Sequence, residues 1–128
     1  IFKQPTYRPL LSDLQRSFQS GITRNVEWRK KQLRAMHRMF LENHERVTEA
    51  IRKDLGGPKF RGLVENMTAS SIKHCLDNID EWTKPEVVKH NSIVGKSLVR
   101  KEPKGVVLLI APWNYPINLV FKPLASIV

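Results

Sequence analysis

Apolar residues recur every three or four positions through the first two thirds of the chain, a spacing that predicts three amphipathic helices. Ser20-Gly21 is the expected end of the first helix, and Thr23 is the expected N-cap of a longer second helix. Gly56-Gly57-Pro58 should end the second helix, and Lys84-Pro85 the third, because a residue that precedes proline is disfavoured in the helical region. The residues that repeat at helical spacing in the first helix are Leu10, Leu11, Leu14 and Phe18. The apolar face of the second helix consists of Leu33, Met36, Phe40, Val47 and Ile51, with His44 filling a gap in it. The face of the third helix that we expect to be buried consists of Phe60, Leu63, Val64, Met67, Ser71, Cys75, Ile79 and Trp82.

The pattern changes after Pro85. Short β-branched runs between residues 87 and 99 predict a β-hairpin whose turn lies near Gly95. Residues 106–110 are continuously apolar, which is typical of a strand buried on both faces of a parallel sheet. After a turn at residues 111–116, helical spacing resumes from Ile117 onward. This order predicts an α/β fold in which helices and a hairpin lead into the first β-turn-α of a doubly wound domain. We expect that domain to be truncated at Val128, because a βαβ unit needs a second strand.

The formal net charge is +10, with 22 lysines and arginines against 12 acidic residues. Such an excess would suit a basic helical module that binds nucleic acid or an acidic membrane, and we keep that function as an alternative. The densest basic run, residues 29–31, is short, and elsewhere basic residues alternate with carboxylates along one helix. A solvated helix face is therefore the favoured interpretation.

The chain has a single cysteine, Cys75, which excludes a disulfide framework and favours a reducing, intracellular compartment. Cys75 falls on the predicted apolar face of the third helix, so we interpret it as a small core residue rather than a nucleophile. The four histidines have no HExxH or HxxxH spacing, and no metal site is expected.

Residues 111–116 form the turn with candidate chemistry. A turn that follows a buried strand lies at the carboxyl end of the sheet, where open α/β folds bind ligands. Pro112 and Pro116 stiffen this turn, and Asn114 on it could donate a hydrogen bond to a developing oxyanion. The alternative is a packing loop in which Asn114 satisfies local backbone groups, and the residues by themselves favour that alternative.

Residues 102–116 read EPKGVVLLIAPWNYP, and this segment closely resembles the E-P-x-G-V-V-x-x-I-x-x-W-N-Y-P segment of aldehyde dehydrogenases. The resemblance continues through Asn118-Leu119 and Pro123-Leu124. Upstream, residues 20–24 followed by a long basic helix are similar to the class 3 and fatty aldehyde dehydrogenase branch. The chain is identified as an N-terminal fragment of such an enzyme.

The resemblance implies roles for six residues of the segment. Asn114 is expected to donate its side-chain amide to the oxyanion of the thiohemiacetal, and Tyr115 is expected to line the aldehyde tunnel. The residues expected along the nicotinamide half of bound NAD or NADP are Ile110, Ala111, Pro112 and Trp113. The nucleophilic cysteine and the general-base glutamate are expected beyond Val128, so the 128 residues alone should be inactive.

The resemblance further implies an oxidoreductase that converts aldehydes to carboxylates through a cysteine thiohemiacetal and thioester. The class 3 branch implies medium- or long-chain aliphatic or aromatic aldehydes as substrates and a homodimer as the assembly, with no nucleic-acid partner. It implies an intracellular location, in the cytoplasm or on the cytosolic face of a membrane, with any membrane association through a C-terminal tail outside these residues. A truncated pseudoenzyme that retains only an assembly role is the remaining alternative.

The same resemblance divides the chain into three parts. Residues 1–85 should form a helical segment that packs on the cofactor domain. Residues 86–102 should form the hairpin, as an oligomerisation element, and residues 103–128 should begin the Rossmann-like NAD(P)-binding domain.

Overall fold

The computed structural model describes residues 7–88, 95 and 97–128. Helices dominate it, and one small antiparallel sheet separates the first five helices from the last. None of these helices combines the length and the apolar character that crossing a bilayer requires. The elements are α1 (Arg8–Gln19), a 3-10 turn (Ile22–Arg24), α2 (Val26–Glu42), α3 (His44–Leu55), α4 (Lys59–Asn66), α5 (Thr68–Thr83), β1 (Glu86–Val88), β2 (Ser97–Val99) and α6 (Asn118–Ile127).

The end of α1 lies where the sequence predicts it, and the start of α2 does not. The Ser20 N–H donates to the Arg16 carbonyl, and Gly21 then adopts a φ of 76°, which a residue with a side chain rarely adopts. The prediction that Thr23 caps the next helix is wrong, because residues 22–24 form the 3-10 turn. The N-cap is Asn25, whose side-chain oxygen accepts a hydrogen bond of 3.0 Å from the Trp28 N–H.

Removing this cap should destabilise the fold. We expect Asn25→Ala to lower the free energy of unfolding by about 1 kcal/mol, because one of the free N–H groups at the start of α2 loses its acceptor. Asn25→Ser keeps a capping oxygen and should remain close to the native stability. Urea unfolding measures both variants, and equal losses for alanine and serine would contradict the capping role.

The predicted second helix is two helices, because the chain leaves helical geometry at Asn43. This residue has φ −122° and ψ 17°, and its side-chain amide donates to the Met39 carbonyl at 2.8 Å. Leu33, Phe40 and Ile51 are buried as predicted. His44, which we expect to fill a gap in the apolar spacing, is exposed, and the break at Asn43 interrupts the helical repeat just before it.

The predicted third helix also divides, at Met67, into α4 and α5. Cys75 and Ile79 are buried as predicted, and Cys75 is confirmed as a core residue. The predicted burial is wrong for four of the other residues, and on α4 the buried positions are Gly62 and Glu65 instead. The predicted face residues that are exposed are Phe60, Leu63, Met67 and Trp82.

Gly62 is the point of closest approach between α4 and α3. A Cβ atom at this position would lie 2.8 Å from the Cα and 2.6 Å from the Cγ2 of Thr48. We expect Gly62→Ala to cost about 1–3 kcal/mol of unfolding free energy, because the two helices must move apart to admit the methyl group. Ser70→Ala, at an exposed position of α5, is the control and should cost nothing. A Gly62→Ala protein as stable as the native one would contradict the close approach.

The core lies between α2, α5 and α6. Its buried apolar residues are Leu33, Phe40, Ile72, Cys75, Ile79 and Ala125. The rings of Phe40 and Phe121 meet edge to face, with centroids 5.1 Å apart. At the surface, Lys30 joins α2 to α5 through an ion pair of 2.7 Å with Asp80, and this hydrogen bond raises the pKa of the Lys30 ammonium. The packing of α6 on α2 and α5 fixes the element that follows the 111–116 turn.

The predicted hairpin is confirmed. β1 and β2 pair antiparallel, with Glu86 opposite Val99 and Val88 opposite Ser97. The sequence predicts the turn near Gly95, and Gly95 has a φ of 97°. Most of the connection between the strands lies outside the described residues, and so do the predicted strand residues Ile93 and Val94. The side chains of both strands are exposed.

Residues 106–110 are extended away from the core rather than buried on both faces. Leu108 is 82% exposed and Ile110 is 83% exposed, and among the described residues no strand pairs with this segment. A strand is covered and hydrogen-bonded only where neighbouring strands flank it, and the described residues place none there. The predicted burial is therefore wrong for this part of the chain, whereas the predicted order of helices, hairpin, turn and final helix is confirmed.

Candidate functional site

The loop formed by residues 111–117 is fixed on its carboxyl side by the first turn of α6. The Leu119 N–H donates to the Tyr115 carbonyl at 3.0 Å, and the Phe121 N–H donates to the Ile117 carbonyl at 2.9 Å. Pro116 is buried directly before this turn. The loop and the helix are thus one continuous rigid piece from Tyr115 onward.

A buried carboxylate on α4 holds the start of α6. The Asn118 N–H donates to Glu65 Oε2 at 2.7 Å, and the Asn118 side-chain amide donates to the Val64 carbonyl at 3.2 Å. Asn118 is the first residue of α6, where a negative charge interacts favourably with the helix dipole and with an N–H that lacks a partner within the helix. Both contacts tie α4 to the loop.

Two further polar side chains hold the middle of the loop. Arg61 Nη2 donates to the Asn114 carbonyl at 3.3 Å, and its guanidinium lies 5.6 Å from the centroid of the Tyr115 ring, which is cation–π geometry. The Trp113 indole N–H donates to Asp54 Oδ2 at 2.7 Å, from the last turn of α3. The loop is therefore anchored through its backbone and its aromatic side chains to α3 and α4.

The side-chain amide of Asn114 is available to donate a hydrogen bond to a ligand. Asn114 is exposed, and within residues 7–88, 95 and 97–128 its amide hydrogen-bonds to no protein group, while its backbone carbonyl accepts from Arg61. The alternative interpretation required this amide to satisfy local backbone groups, and the structure shows no such bond in the described part of the chain. A fixed backbone that presents an unpaired amide is the arrangement that stabilises a developing negative charge.

The five other predicted site residues surround this amide in sequence. Ile110, Pro112 and Trp113 are exposed, and Ala111 is half-buried. Tyr115 is about one third exposed, and its ring faces the Arg61 guanidinium. Exposed apolar and aromatic side chains on a fixed loop are suited to the flat face of a nicotinamide ring, since ligand sites are lined mainly by such groups. The predicted site residues thus lie on the anchored loop, except Ile110, which directly precedes it.

Sequence reasoning missed the residues that hold the loop. Asp54, Arg61 and Glu65 contact residues more than 50 positions away, and no local pattern indicates such contacts. One weak signal existed: Arg61 and Glu65 are four residues apart, so a helix brings them to the same face.

Several basic side chains in the described residues form ion pairs with nearby carboxylates. Arg52 donates twice to Glu49 at 2.8 Å, and this contact lowers the pKa of the Glu49 carboxyl. Further pairs join Arg24 to Glu102, Lys73 to Asp77, Lys84 to Glu81 and Lys101 to Glu86. Exposed pairs of this kind are common on solvated helix faces. In the same residues, no three His, Cys, Asp or Glu side chains lie close enough to hold a metal ion.

Comparison with known proteins identifies the family. The model of the aldehyde dehydrogenase family matches residues 13–128. Mouse aldehyde dehydrogenase family 3 member B2 is 38% identical over 120 residues, which cover 91% of this chain and 25% of that protein. Aldehyde dehydrogenase family 3 member H1 of Arabidopsis thaliana is 36% identical over 128 residues, 96% of this chain and 26% of that protein. The chain spans about a quarter of the length of the curated relatives it matches.

A solved structure shows the same fold. The substrate-bound state of Staphylococcus aureus AldH superimposes with a TM-score of 0.88 at 31% sequence identity. The match covers 97% of this chain and 28% of that one. The helices, the hairpin and the anchored loop therefore have the arrangement of the corresponding part of that protein.

Proposed function

Because this chain belongs to the aldehyde dehydrogenase family, we propose that the complete protein oxidises aldehydes to carboxylates with NAD or NADP, and that these residues form one wall of its active site. The observation that supports this role is the Asn114 amide, which has no protein partner among the described residues and lies on a loop that α3 and α4 hold in place. The family 3 relatives support the same reaction class. The nucleophilic cysteine and the general base belong, in this proposal, to other parts of the complete protein.

Asn114 is the proposed oxyanion donor. When a thiolate adds to an aldehyde, the carbonyl oxygen gains negative charge, and a hydrogen-bond donor already in position stabilises that charge without reorganisation. The backbone contact from Arg61 leaves the Asn114 side chain unrestrained by other protein groups of the described residues. The amide is therefore free to donate to the reacting oxygen, from a backbone that is already held in position.

Ile110, Ala111, Pro112 and Trp113 are the proposed wall of the nicotinamide half of the cofactor site. The cofactor, when bound, supplies the acceptor for the hydride that leaves the substrate carbon. The exposed apolar side chains of this segment exclude water from the face that they cover. The hydrogen bond from Trp113 to Asp54 fixes the indole within that wall.

Tyr115 is the proposed wall of the aldehyde tunnel, and its ring is held by Arg61. We propose medium- or long-chain aliphatic or aromatic aldehydes as the substrates. If so, kcat/KM should rise as an aliphatic aldehyde is lengthened, since each buried methylene adds about 0.8 kcal/mol of binding. A series of straight-chain aldehydes assayed under the same conditions measures this trend, and a flat or falling series would contradict the proposed substrate class.

The hairpin is the proposed oligomerisation element of a homodimer. Val87 and Leu98 are exposed and lie opposite each other, so the ribbon presents an apolar surface that a second copy could cover. Residues 1–85 pack on the cofactor domain in this proposal, and residues 103–128 begin that domain. We further propose that the protein is intracellular, in the cytoplasm or on the cytosolic face of a membrane. Fractionation of cells tests this location.

The proposed reaction is tested by assaying the complete protein with an aldehyde series and with NAD⁺ or NADP⁺ in turn. We expect formation of reduced nicotinamide together with an equal amount of carboxylate, and no activity from the 128 residues alone. A complete protein that turns over no aldehyde with either cofactor would contradict the proposal and would favour an assembly role without catalysis.

A further inference from the structure

Glu65 is a buried carboxylate in the middle of a helix junction. Its side chain is fully buried. Oε2 accepts the Asn118 N–H at 2.7 Å, whereas Oε1 has no hydrogen-bond partner among the described residues. Burying a carboxylate with one oxygen unpaired is unfavourable, and an apolar residue would fill the same space at lower cost. The charged group at this position therefore calls for a role beyond packing.

The Glu65 carboxylate contacts the residue at which the loop passes into α6. The N–H that it accepts belongs to the first residue of α6, three residues beyond Tyr115. Arg61, one helical turn earlier on α4, contacts the Asn114 carbonyl and the Tyr115 ring. Two successive turns of α4 thus contact the loop at Asn114 and Tyr115 and the start of α6 at Asn118.

We propose that Glu65 is a positioning residue that sets the place of the Asn114 amide by fixing the start of α6. This inference rests on the proposed oxyanion role of Asn114. A charge-assisted hydrogen bond to the first N–H of a helix is short and directional, and the helix dipole strengthens it. Without this hydrogen bond, the loop loses the contact that orients its carboxyl end.

The test is a double-mutant cycle in the complete protein, with kcat, KM and cofactor affinity measured for each member. We expect Glu65→Ala to lower kcat by about 10- to 100-fold, the range set by loss of a hydrogen bond to a charged group. KM for the aldehyde and the Kd for NAD⁺ should change by less than about threefold, because the effect is confined to the oxyanion donor. In the Asn114→Ala background, Glu65→Ala should lower kcat by no more than about threefold further, since the group that it positions is gone.

Two other variants separate positioning from general support of the fold. Glu65→Gln retains an oxygen that can accept the Asn118 N–H, and its kcat should return to within about fivefold of the native value. Glu45→Ala removes an exposed carboxylate in the first turn of α3 and should leave all three constants unchanged. If Glu65→Ala does not accumulate as folded protein, Glu65→Asp carries the same cycle, because it shortens the side chain by one methylene and draws the carboxylate away from the N–H.

The outcomes distinguish a failure of the positioning role of Glu65 from a failure of the oxyanion role of Asn114. If Asn114→Ala alone leaves kcat unchanged, the oxyanion role fails. If Asn114→Ala lowers kcat, and Glu65→Ala then lowers kcat by the same factor in the Asn114→Ala background as in the native protein, the positioning role of Glu65 is overturned. A Glu65→Ala protein that keeps the native kcat overturns it as well.

Discussion

Replacing Asn114 with alanine should lower kcat of the complete protein by about 10²- to 10³-fold, the usual effect of removing one oxyanion donor. KM should change little, because the amide strengthens its hydrogen bond only as the carbonyl oxygen gains charge. The loop itself should not move, since its anchors at Asp54, Arg61 and Glu65 do not involve the Asn114 side chain. Steady-state kinetics over a range of aldehyde concentrations measures both constants.

Two controls accompany this variant. Asn114→Asp places a negative charge beside the developing oxyanion and should be at least as slow as the alanine variant. Asn78→Ala removes an amide on α5 whose only described protein partners lie on the same helix, at His74, and should keep native kinetics. An Asn114→Ala protein with native kcat, or one changed only in KM, would contradict the oxyanion role.

Phe40→Ala should produce the largest loss of stability, about 3–5 kcal/mol of unfolding free energy. Phe40 is 2% exposed, and its ring meets that of Phe121 at 5.1 Å, so the substitution leaves a cavity between α2 and α6. Because α6 begins directly after the loop, we also expect the loop to become more accessible to proteolysis. Urea unfolding of the complete protein measures the main effect.

The neighbouring residue gives a matched control for this variant. Leu41 is exposed on the same helix, and Leu41→Ala should change the unfolding free energy by no more than about 0.5 kcal/mol. Equal losses at positions 40 and 41 would show that Phe40 does not hold α2 to α6. A Phe40→Ala protein of native stability would show the same.

The helical part of the fold follows from apolar spacing and from glycines that end helices. Gly21 and Gly56 adopt positive φ values at the ends of α1 and α3, where the sequence indicates helix ends. The breaks at Asn43 and Met67 carry no proline or glycine, and a continuous helix is the natural prediction across them. The chain between the two breaks forms α3 and α4, which come into contact at Thr48 and Gly62.

The same contact explains why the predicted face of α4 is wrong. A close approach between two helices requires a residue without a side chain, and Gly62 provides it. The face that contains Gly62 must then point inward, and Phe60 and Leu63 are turned outward. Apolar spacing alone assigns the larger residues to the core, because it contains no information about the distance between helices.

For the candidate site as well, the sequence predicts some residues and not others. The motif at residues 111–116 identifies the loop and its candidate donor, because a family pattern records chemistry directly. It does not identify the groups that hold the loop, since those contacts join residues distant in sequence. The buried position of Glu65 is the least expected of them, because ionised side chains are almost never fully buried unless they are paired.

The position of α4 links the fold to the proposed chemistry. One side of this helix contacts α3 at Gly62, and its residues 61 and 65 contact the loop and α6. Stability of the helical segment and placement of the Asn114 amide therefore depend on the same short helix. Gly62→Ala should lower kcat as well as stability for this reason.

The rate of the chemical step tests the central claim most directly. In a single turnover, the complete protein with excess NAD⁺ is mixed with a smaller amount of aldehyde, and formation of NADH is followed in the native protein and in Asn114→Ala. We expect the rate to fall by about 10²-fold or more, with the Kd for NAD⁺ unchanged. Equal rates in the two proteins would contradict the role of Asn114 as the oxyanion donor.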